Sequence, residues 1–358
     1  METWLEINLK KLENNYNYIK TKTNTKICSV IKADGYGMGS YDIAKKLEML
    51  GTDMFALAFV KEGERLRKKG IKKDILLLNF VSAEKLDSVI KNNLTLSLYS
   101  LEQLNLYVQK VSLEILKKIK FHIKINTGMN RLGFDKNDFP KLIKLIEKYE
   151  LNILGSYCHF ADVNDEEFTK KQYKEYIEFN SKLEKACNKK LIKHVCNSAG
   201  TLKYKAYHLD MVRVGMALYG LQPLKTLDEN IESIFTWKCK ISNIRKVEAG
   251  ERLSYGNYLL REKKTIATLP VGYAHGYMRQ LSNKGYVLIK GEVCNILGDI
   301  CMDQMLIDVS HLKEVEVEEE VILLGENLKP EILGELANTI ADDILCKISP
   351  RINRILIN

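Results

Sequence analysis

Lys32 is the residue of this sequence with the clearest chemical context. It follows a short apolar run at residues 27–31 and precedes the loop DGYGMG, which contains three glycines. The run predicts a strand, and the pattern of residues 41–50 predicts a helix capped by Ser40. Enzymes of the α/β class place reactive groups where parallel strands end, and a glycine-rich loop can hold a phosphate. A lysine in this position predicts a Schiff-base lysine for pyridoxal phosphate.

A second group of polar residues alternates along the run FHIKINTGMNRLGF. Because successive side chains of a strand face opposite sides, His122, Lys124 and Asn126 share one face, which we expect to point inward. The turn after the strand would present Arg131 at the mouth formed by the strand ends. Polar side chains inside a fold are costly unless they are paired, which favours a functional role for the triplet.

Three more polar residues, His159, Ser198 and Arg213, lie at or near the ends of predicted strands. Each alone is compatible with a structural role, as a core histidine, a helix cap or an ion-pair partner. Their shared position predicts one rim with Lys32. The turns at Ser198 and at residues 220–221 would suit a phosphate, and Arg213 would suit a pyridine nitrogen because a guanidinium donates without losing its proton.

The C-terminal third of the chain contains two further motifs, LSYG with Tyr255 and GDICMDQ with Cys301 and Asp303. From the residues alone, Tyr255 is more readily explained as a packed aromatic, since a phenol acts as a base only when cations such as Arg131 lower its pKa. One thiol and one carboxylate two residues apart do not form a metal site. We predict no metal.

The elements that must position these residues alternate regularly between strand-like and helical segments. Eight strand candidates separated by helices predict a (β/α)8 TIM-type barrel over residues 10–228. The strand candidates are residues 27–31, 54–58, 75–79, 94–98, 121–125, 153–158, 192–196 and 211–214. The helical segments include residues 10–22, 61–69, 83–92, 101–118, 141–149 and 166–189.

From about residue 230 the pattern changes to short strands rich in Thr, Val, Ile and Tyr. A mainly-β C-terminal domain is predicted for residues 229–358, with one helical stretch at residues 332–341. The predicted strands are residues 235–247, 265–269, 286–289, 305–308 and 321–324.

Composition narrows the class of protein. The chain has 358 residues, with a net charge of +9 that is spread over helical segments, which favours solvated faces over nucleic-acid binding. Its eight cysteines form no CxxC pair, which is typical of reduced thiols in a cytoplasmic protein. The sequence has no signal-peptide pattern and no run of apolar residues long enough to span a membrane.

The motifs resemble those of the alanine racemases in order and spacing: VIKADGYGMG, HIKINTGMNRLGF, HFA, NSAG, MVRVGMALYGL, LSYG, LPVGYAHGY and GDICMDQ. The resemblance covers essentially the whole chain. It implies a fold-type III pyridoxal phosphate barrel followed by the β domain, which the N-terminal strand at residues 1–9 would join. It also implies a head-to-tail homodimer in which each Tyr255 serves the active site of the partner.

The resemblance further implies a role for each site residue. Lys32 would carry the cofactor and act as one base, and Tyr255 would be the second base. Arg131, Tyr273 and the backbone of Met302 would contact the substrate, with Asp303 in support and Lys124 as a lysine often found carbamylated. The residues implied for cofactor binding are Lys32, Tyr36, His159, Asn197, Ser198, Arg213, Gly220 and Leu221.

The sequence departs from the family pattern at Met38, where histidine is frequent, at His275, where aspartate is frequent, and at Pro350. The family usually has a tyrosine that contacts phosphate and substrate where this chain has Pro350. Proline supplies neither a hydroxyl nor an N–H, so the pocket next to the substrate side chain is expected to differ from that of the family.

We therefore predict a racemase that makes D-alanine for peptidoglycan, with a serine or broad-spectrum racemase as the alternative. A decarboxylase of the same two-domain class is less favoured, because Tyr255 occupies the position of its usual cysteine motif. A single-barrel pyridoxal phosphate homeostasis protein would lack the β domain. A nucleic-acid binder rests on net charge alone.

Overall fold

The computed structural model describes residues 2–256 and 258–357. The chain begins with strand β1 (Thr3–Asn8), followed by a helix (Leu9–Lys22) whose first turn is capped by Asn8, which accepts the Lys11 N–H at 2.9 Å. Strand β1 does not belong to the first domain of the chain. It lies in a sheet formed by C-terminal strands.

Eight parallel strands form the predicted barrel, in the order β8-β7-β6-β5-β4-β3-β2-β9. Their side chains are mostly buried on both faces, as expected for parallel strands covered by helices. The strands are β2 (Lys26–Val30), β3 (Met54–Leu57), β4 (Asp74–Leu77), β5 (Leu94–Leu98), β6 (Lys120–Lys124), β7 (Asn152–Tyr157), β8 (Ile192–His194) and β9 (Met211–Val214).

The barrel sheet has a seam between β8 and β9, where the described residues form no ladder. Two backbone hydrogen bonds join the strands there, from Asp210 to Lys193 at 3.1 Å and from Arg213 to Cys196 at 2.9 Å. Strand β8 is shorter than the predicted residues 192–196 because Val195 and Cys196 have left the regular ladder. The sheet is therefore a nearly closed barrel, and the predicted fold class is confirmed.

Helices cover the outside of the barrel. The predicted helix at residues 101–118 is two helices, because Ser112 caps a new one by accepting the Ile115 N–H. The barrel helices after the first are Ser40–Leu50, Val60–Lys68, Leu86–Lys91, Leu101–Lys110, Leu113–Lys118, Phe139–Tyr149, Glu166–Cys187, Ser198–Lys203 and Met216–Tyr219, with 3₁₀ turns at Ala83–Lys85 and Lys205–Tyr207. The segment Lys32–Tyr36 is a turn and not a regular helix, because its backbone is left-handed. No described helix is long and apolar enough to cross a membrane.

The C-terminal part is mainly β and forms three sheets. A six-stranded sheet has the order β16-β15-β18-β10-β1-β19, a three-stranded sheet the order β11-β14-β17, and β12 pairs with β13. The strands are β10 (Phe235–Lys240), β11 (Asn243–Val247), β12 (Arg252–Leu253), β13 (Tyr258–Leu259), β14 (Lys264–Leu269), β15 (Tyr286–Ile289), β16 (Glu292–Asn295), β17 (Met305–Asp308), β18 (Glu320–Leu324) and β19 (Asn353–Ile357).

Two sequence predictions for this part need correction. The run at residues 235–247 is two strands in different sheets, β10 and β11, because the chain turns at Ile241 and Ser242. The helical stretch at residues 332–341 is instead a helix at Pro330–Leu336, started by its proline, and a second helix at Ala341–Cys346. Short 3₁₀ turns lie at Tyr273–His275 and Arg279–Leu281.

Candidate active site

Lys32 lies two residues beyond the end of β2 and opens a turn of left-handed backbone. The φ angles of Ala33, Asp34, Gly35 and Tyr36 are 53°, 54°, 64° and 55°. Left-handed backbone costs a residue with a Cβ roughly 1–2 kcal/mol, so the surrounding structure must hold this turn in place.

Neighbouring residues fix the turn from both sides. The Ala33 N–H donates to Glu62 at 2.7 Å, and Asp34 accepts from the Ser40 N–H at 3.1 Å. Asp34 also pairs with Arg65, and these contacts hold the pKa of its carboxyl below the usual value despite burial. Ser40 is thus not the helix cap that its position suggested. Gly39 precedes the helix, and Asp34 binds the free N–H.

The loop is anchored to the C-terminal domain by Arg354. Its Nε and Nη2 donate to the carbonyl oxygen of Gly37 at 3.0 and 2.8 Å. A Cβ on Gly37, whose φ is +83°, would lie 2.6 Å from the carbonyl oxygen of Leu345, so this glycine permits a close contact with the last helix. Met38, where the family often has histidine, is buried in the core.

The next feature is a polar recess between Tyr36, Ser198 and Gly215. The Tyr36 ring stacks on Tyr219 at 4.6 Å, and a Cβ on Gly215 would lie 2.6 Å from the Tyr36 hydroxyl, so a glycine leaves room for this hydroxyl. The Ser198 hydroxyl accepts the Gly215 N–H at 3.0 Å and, as a hydroxyl, can still donate. Two hydroxyls beside a glycine backbone fit a phosphate group.

Arg213 is buried at the centre of the barrel, with 4% of its surface exposed. Its Nη1 contacts the Nδ1 of His194 at 3.0 Å and its carbonyl oxygen at 2.7 Å. Its Nη2 donates to the Cys158 carbonyl at 2.8 Å and lies 3.3 Å from the Nδ1 of His159. The cation is thereby held by neutral partners, and burial beside it lowers the pKa of His194 and of His159 well below the usual value.

Behind His194 lies His122, the first residue of the predicted inward triplet. Its Nδ1 is 2.7 Å from the Nε2 of His194, and Tyr157 stacks on the His194 ring at 4.9 Å. Burial lowers the pKa of His122 to about 3. His122 therefore supports Arg213 through His194 and does not face the cavity.

Lys124 does face the cavity. Its Nζ lies 4.7 Å from the centre of the Tyr157 ring, and burial, followed by Arg213 and Arg131, lowers its pKa to about 7. Asn126, expected to point inward with it, instead organises the following turn. Its amide donates to Asn130 and Asp135, because the chain leaves the strand after Lys124.

These residues surround one cavity of about 470 Å³ at the C-terminal ends of the barrel strands. Eight of the predicted site residues line it: Lys32, Tyr36, Lys124, Arg131, His159, Asn197, Ser198 and Arg213. Gly220 and Leu221, which were also predicted, do not line it. Gly220 has a φ of +89° and packs so closely on the backbone of Glu232 that a Cβ would lie 2.3 Å from its carbonyl oxygen, and Leu221 is fully buried.

The predicted residues of the C-terminal domain are not brought to this cavity. Tyr255, Tyr273 and Met302 are exposed, Tyr255 by 71%, so the expectation of a packed aromatic is wrong. They lie on neighbouring loops, since the Tyr273 N–H donates to the Cys301 carbonyl at 3.0 Å. Asp303 pairs with Arg351 at 3.0 Å, and the Nε2 of His275 is 3.9 Å from Asp303.

Sequence reasoning missed three residues of the site. His194 and Tyr157 carry the signal of polar or aromatic residues at barrel strand ends. Asp342 lines the cavity from the last helix, whereas Pro350, predicted to shape the substrate pocket, is exposed and does not line it. Nothing in the local sequence around Asp342 distinguishes it from the adjacent Asp343.

The fold and cavity define a barrel enzyme with a second, β domain. Family models match along the chain, the alanine racemase N-terminal domain over residues 7–223 and the C-terminal domain over residues 234–356. A curated alanine racemase from Halothermothrix orenii is 38% identical over 98% of this chain and 96% of its own length.

Solved structures of alanine racemases have the same fold as this chain. Alanine racemase from Clostridium difficile 630 superposes with a TM-score of 0.91 at 37% identity, covering 100% of this chain and 96% of its own. Alanine racemase from Bartonella henselae with covalently bound pyridoxal phosphate has a TM-score of 0.90 at 27% identity, covering 100% of both chains.

The chain belongs to the alanine racemase family, a family of pyridoxal phosphate-dependent enzymes, and is an isomerase that acts on a small amino acid.

Proposed function

We propose that this protein racemises alanine with pyridoxal phosphate bound in the barrel cavity, by two bases, in a homodimer whose subunits complete each other's sites. The observation that carries the proposal is the separation of the two predicted bases. Lys32 lines the cavity, whereas Tyr255 of the same chain is 71% exposed on the C-terminal domain and does not line it.

The cavity residues fit the cofactor. Lys32 supplies the amine, and Tyr36 and Ser198 supply hydroxyls for the phosphate, beside Gly215. Both terminal nitrogens of Arg213 bond to the barrel, which reserves its Nε–H for an acceptor such as the pyridine nitrogen. Because guanidinium keeps its proton, that acceptor stays unprotonated. The turns that would hold the phosphate are shaped by Asn197, Gly220 and Leu221.

Pyridoxal phosphate, when bound, withdraws electrons from the substrate Cα and so weakens its C–H bond. Lys32 then removes or returns a proton on one face of the Cα. Tyr255 of the partner subunit does so on the other, with Tyr273 and Met302 beside it. Arg131 binds the substrate carboxylate, and a carbamylated Lys124 would provide the anion that orients Arg131. Asp303 supports the Met302 loop through Arg351.

Subunit mixing tests the shared site. Lys32→Ala and Tyr255→Ala proteins, each inactive as a homodimer, are unfolded together, refolded and assayed for exchange of the alanine Cα proton in D₂O. A mixed dimer contains one site with both bases. Random pairing makes half the dimers mixed, so we expect about a quarter of the wild-type activity.

Two results would contradict the proposal in different ways. No recovery on mixing, with both variants dimeric, would place both bases in one chain. No exchange by the wild-type protein despite bound cofactor would contradict the racemase reaction itself. Arg279→Ala, on an exposed C-terminal turn, is the matched control and should retain its activity without mixing.

A further inference from the structure

One wall of the cavity carries a carboxyl group with no partner. Among the described residues, only two buried side-chain nitrogen or oxygen atoms have no hydrogen bond, the Nε2 of His122 and the Oδ1 of Asp342. The His122 atom lies behind Arg213, but Asp342 lines the cavity together with Lys32. An unsatisfied buried oxygen costs roughly 1–3 kcal/mol, so it is a site where a bound molecule gains a hydrogen bond.

The neighbouring residue shows that the helix does not need this carboxyl group. Asp343 accepts from Thr339 at 2.8 Å and from Lys347 at 2.7 Å, and so fastens the helix Ala341–Cys346. Asp342 makes no such contact. Three groups from other elements face it. Burial raises the pKa of Asp342 most, the charge of Lys32 lowers it and that of Glu331 raises it, while the charge of Asp342 in turn raises the pKa of Tyr36.

The identity of the missing partner follows from Lys32. An amine that moves the Cα proton must lie next to that carbon, so the substrate occupies the space that Lys32 and Asp342 share. A methyl side chain leaves the Asp342 oxygen unsatisfied. A hydroxyl satisfies it in either protonation state, by donating to a carboxylate or accepting from an acid. A phosphate is a poorer partner for the ionised carboxyl because two anions repel each other, and only the protonated acid would donate to it.

We propose that Asp342 selects the substrate side chain by hydrogen-bonding a hydroxyl group, so that the site racemises serine as well as alanine. This inference rests on the proposed racemase function. In the C-terminal segment, the residue that determines substrate specificity is then Asp342 and not the exposed Pro350.

The test compares the kcat/KM for L-serine and L-alanine, followed by Cα-proton exchange in D₂O with chiral analysis. The wild-type values should lie within about tenfold of each other. Asp342→Leu, similar in shape but without polar atoms, should lower the serine-to-alanine ratio about 10- to 100-fold. Asp342→Asn, which keeps a hydrogen-bonding oxygen, should keep the ratio within a few-fold of wild type.

Controls separate specificity from folding and from cofactor binding. Asp343→Asn, one residue away, should leave the ratio unchanged, and Asp342→Ala replaces the leucine variant should that variant unfold at a lower temperature. The dissociation constant of pyridoxal phosphate is measured for each variant from its absorbance. An unchanged serine-to-alanine ratio overturns the inference. If the ratio is unchanged and pyridoxal phosphate binds more weakly, Asp342 acts on the phosphate instead. Absence of alanine exchange in the wild type would instead refute the racemase function.

Discussion

The Nη1 of Arg213 lies 3.0 Å from the Nδ1 of His194, and this contact sets the protonation of a row of buried side chains. A guanidinium only donates, so the Nδ1 of His194 accepts and its Nε2 carries the hydrogen. That hydrogen points to the Nδ1 of His122, 2.7 Å away, which leaves the hydrogen of His122 on Nε2, the atom without a partner. Both rings are neutral.

We therefore expect the buried, neutral histidines His122 and His194 to make the stability of the folded protein depend on pH. The pKa of His122 is about 3 in the folded protein, so between pH 6.5 and that value only the unfolded chain takes up its proton. The free energy of unfolding should fall as the pH falls through this window, by up to about 1.4 kcal/mol per pH unit for each such histidine. His122→Gln should flatten this dependence, measured by urea unfolding at several pH values. His311→Gln, at an exposed position, is the control, and an equal slope in all three proteins would show that His122 is not held neutral.

Lys124 should react with carbon dioxide. An amine with a pKa of about 7 is substantially neutral near that pH, and only the neutral form adds CO₂. Protein equilibrated with ¹³C-bicarbonate should show a carbamate signal in the ¹³C spectrum, which Lys124→Arg removes and Lys120→Arg, on the same strand, retains. Lys124→Ala should lower kcat/KM about 10- to 100-fold by removing the carbamate that would orient Arg131. A spectrum without a carbamate signal would leave Lys124 as a simple amine.

Gly215→Ala should weaken cofactor binding through Tyr36. The new Cβ would lie 2.6 Å from the Tyr36 hydroxyl, so the ring must shift away from the recess. We expect pyridoxal phosphate to bind about tenfold more weakly, whereas pyridoxal, which lacks the phosphate, should bind as before. In a Tyr36→Phe background, Gly215→Ala should weaken pyridoxal phosphate binding less, and a double-mutant cycle measures this difference. Equal costs in both backgrounds would mean that Tyr36 does not transmit the effect.

The sequence predicted the barrel and most of the cavity because the ends of apolar runs mark the ends of strands. Lys32 and His159 follow apolar runs and Arg213 lies near the end of one, and parallel strands bring such residues to one rim. Tyr255 was misjudged as packed because exposure depends on how a whole domain presents its loops, which local pattern does not encode. Asp342 was missed for a related reason. Only the contact of the last helix with the Lys32 loop makes one of two adjacent aspartates a cavity residue.

Strand β1 lies between β10 and β19, antiparallel to the first and parallel to the second. The first described strand is therefore paired on one side by the last described strand. All eight barrel strands precede both partners of β1 in the sequence, so they can assemble while β1 still presents two open edges. Loss of β19 would thus expose one edge of β1, and two strands far apart in the sequence share a single step of folding.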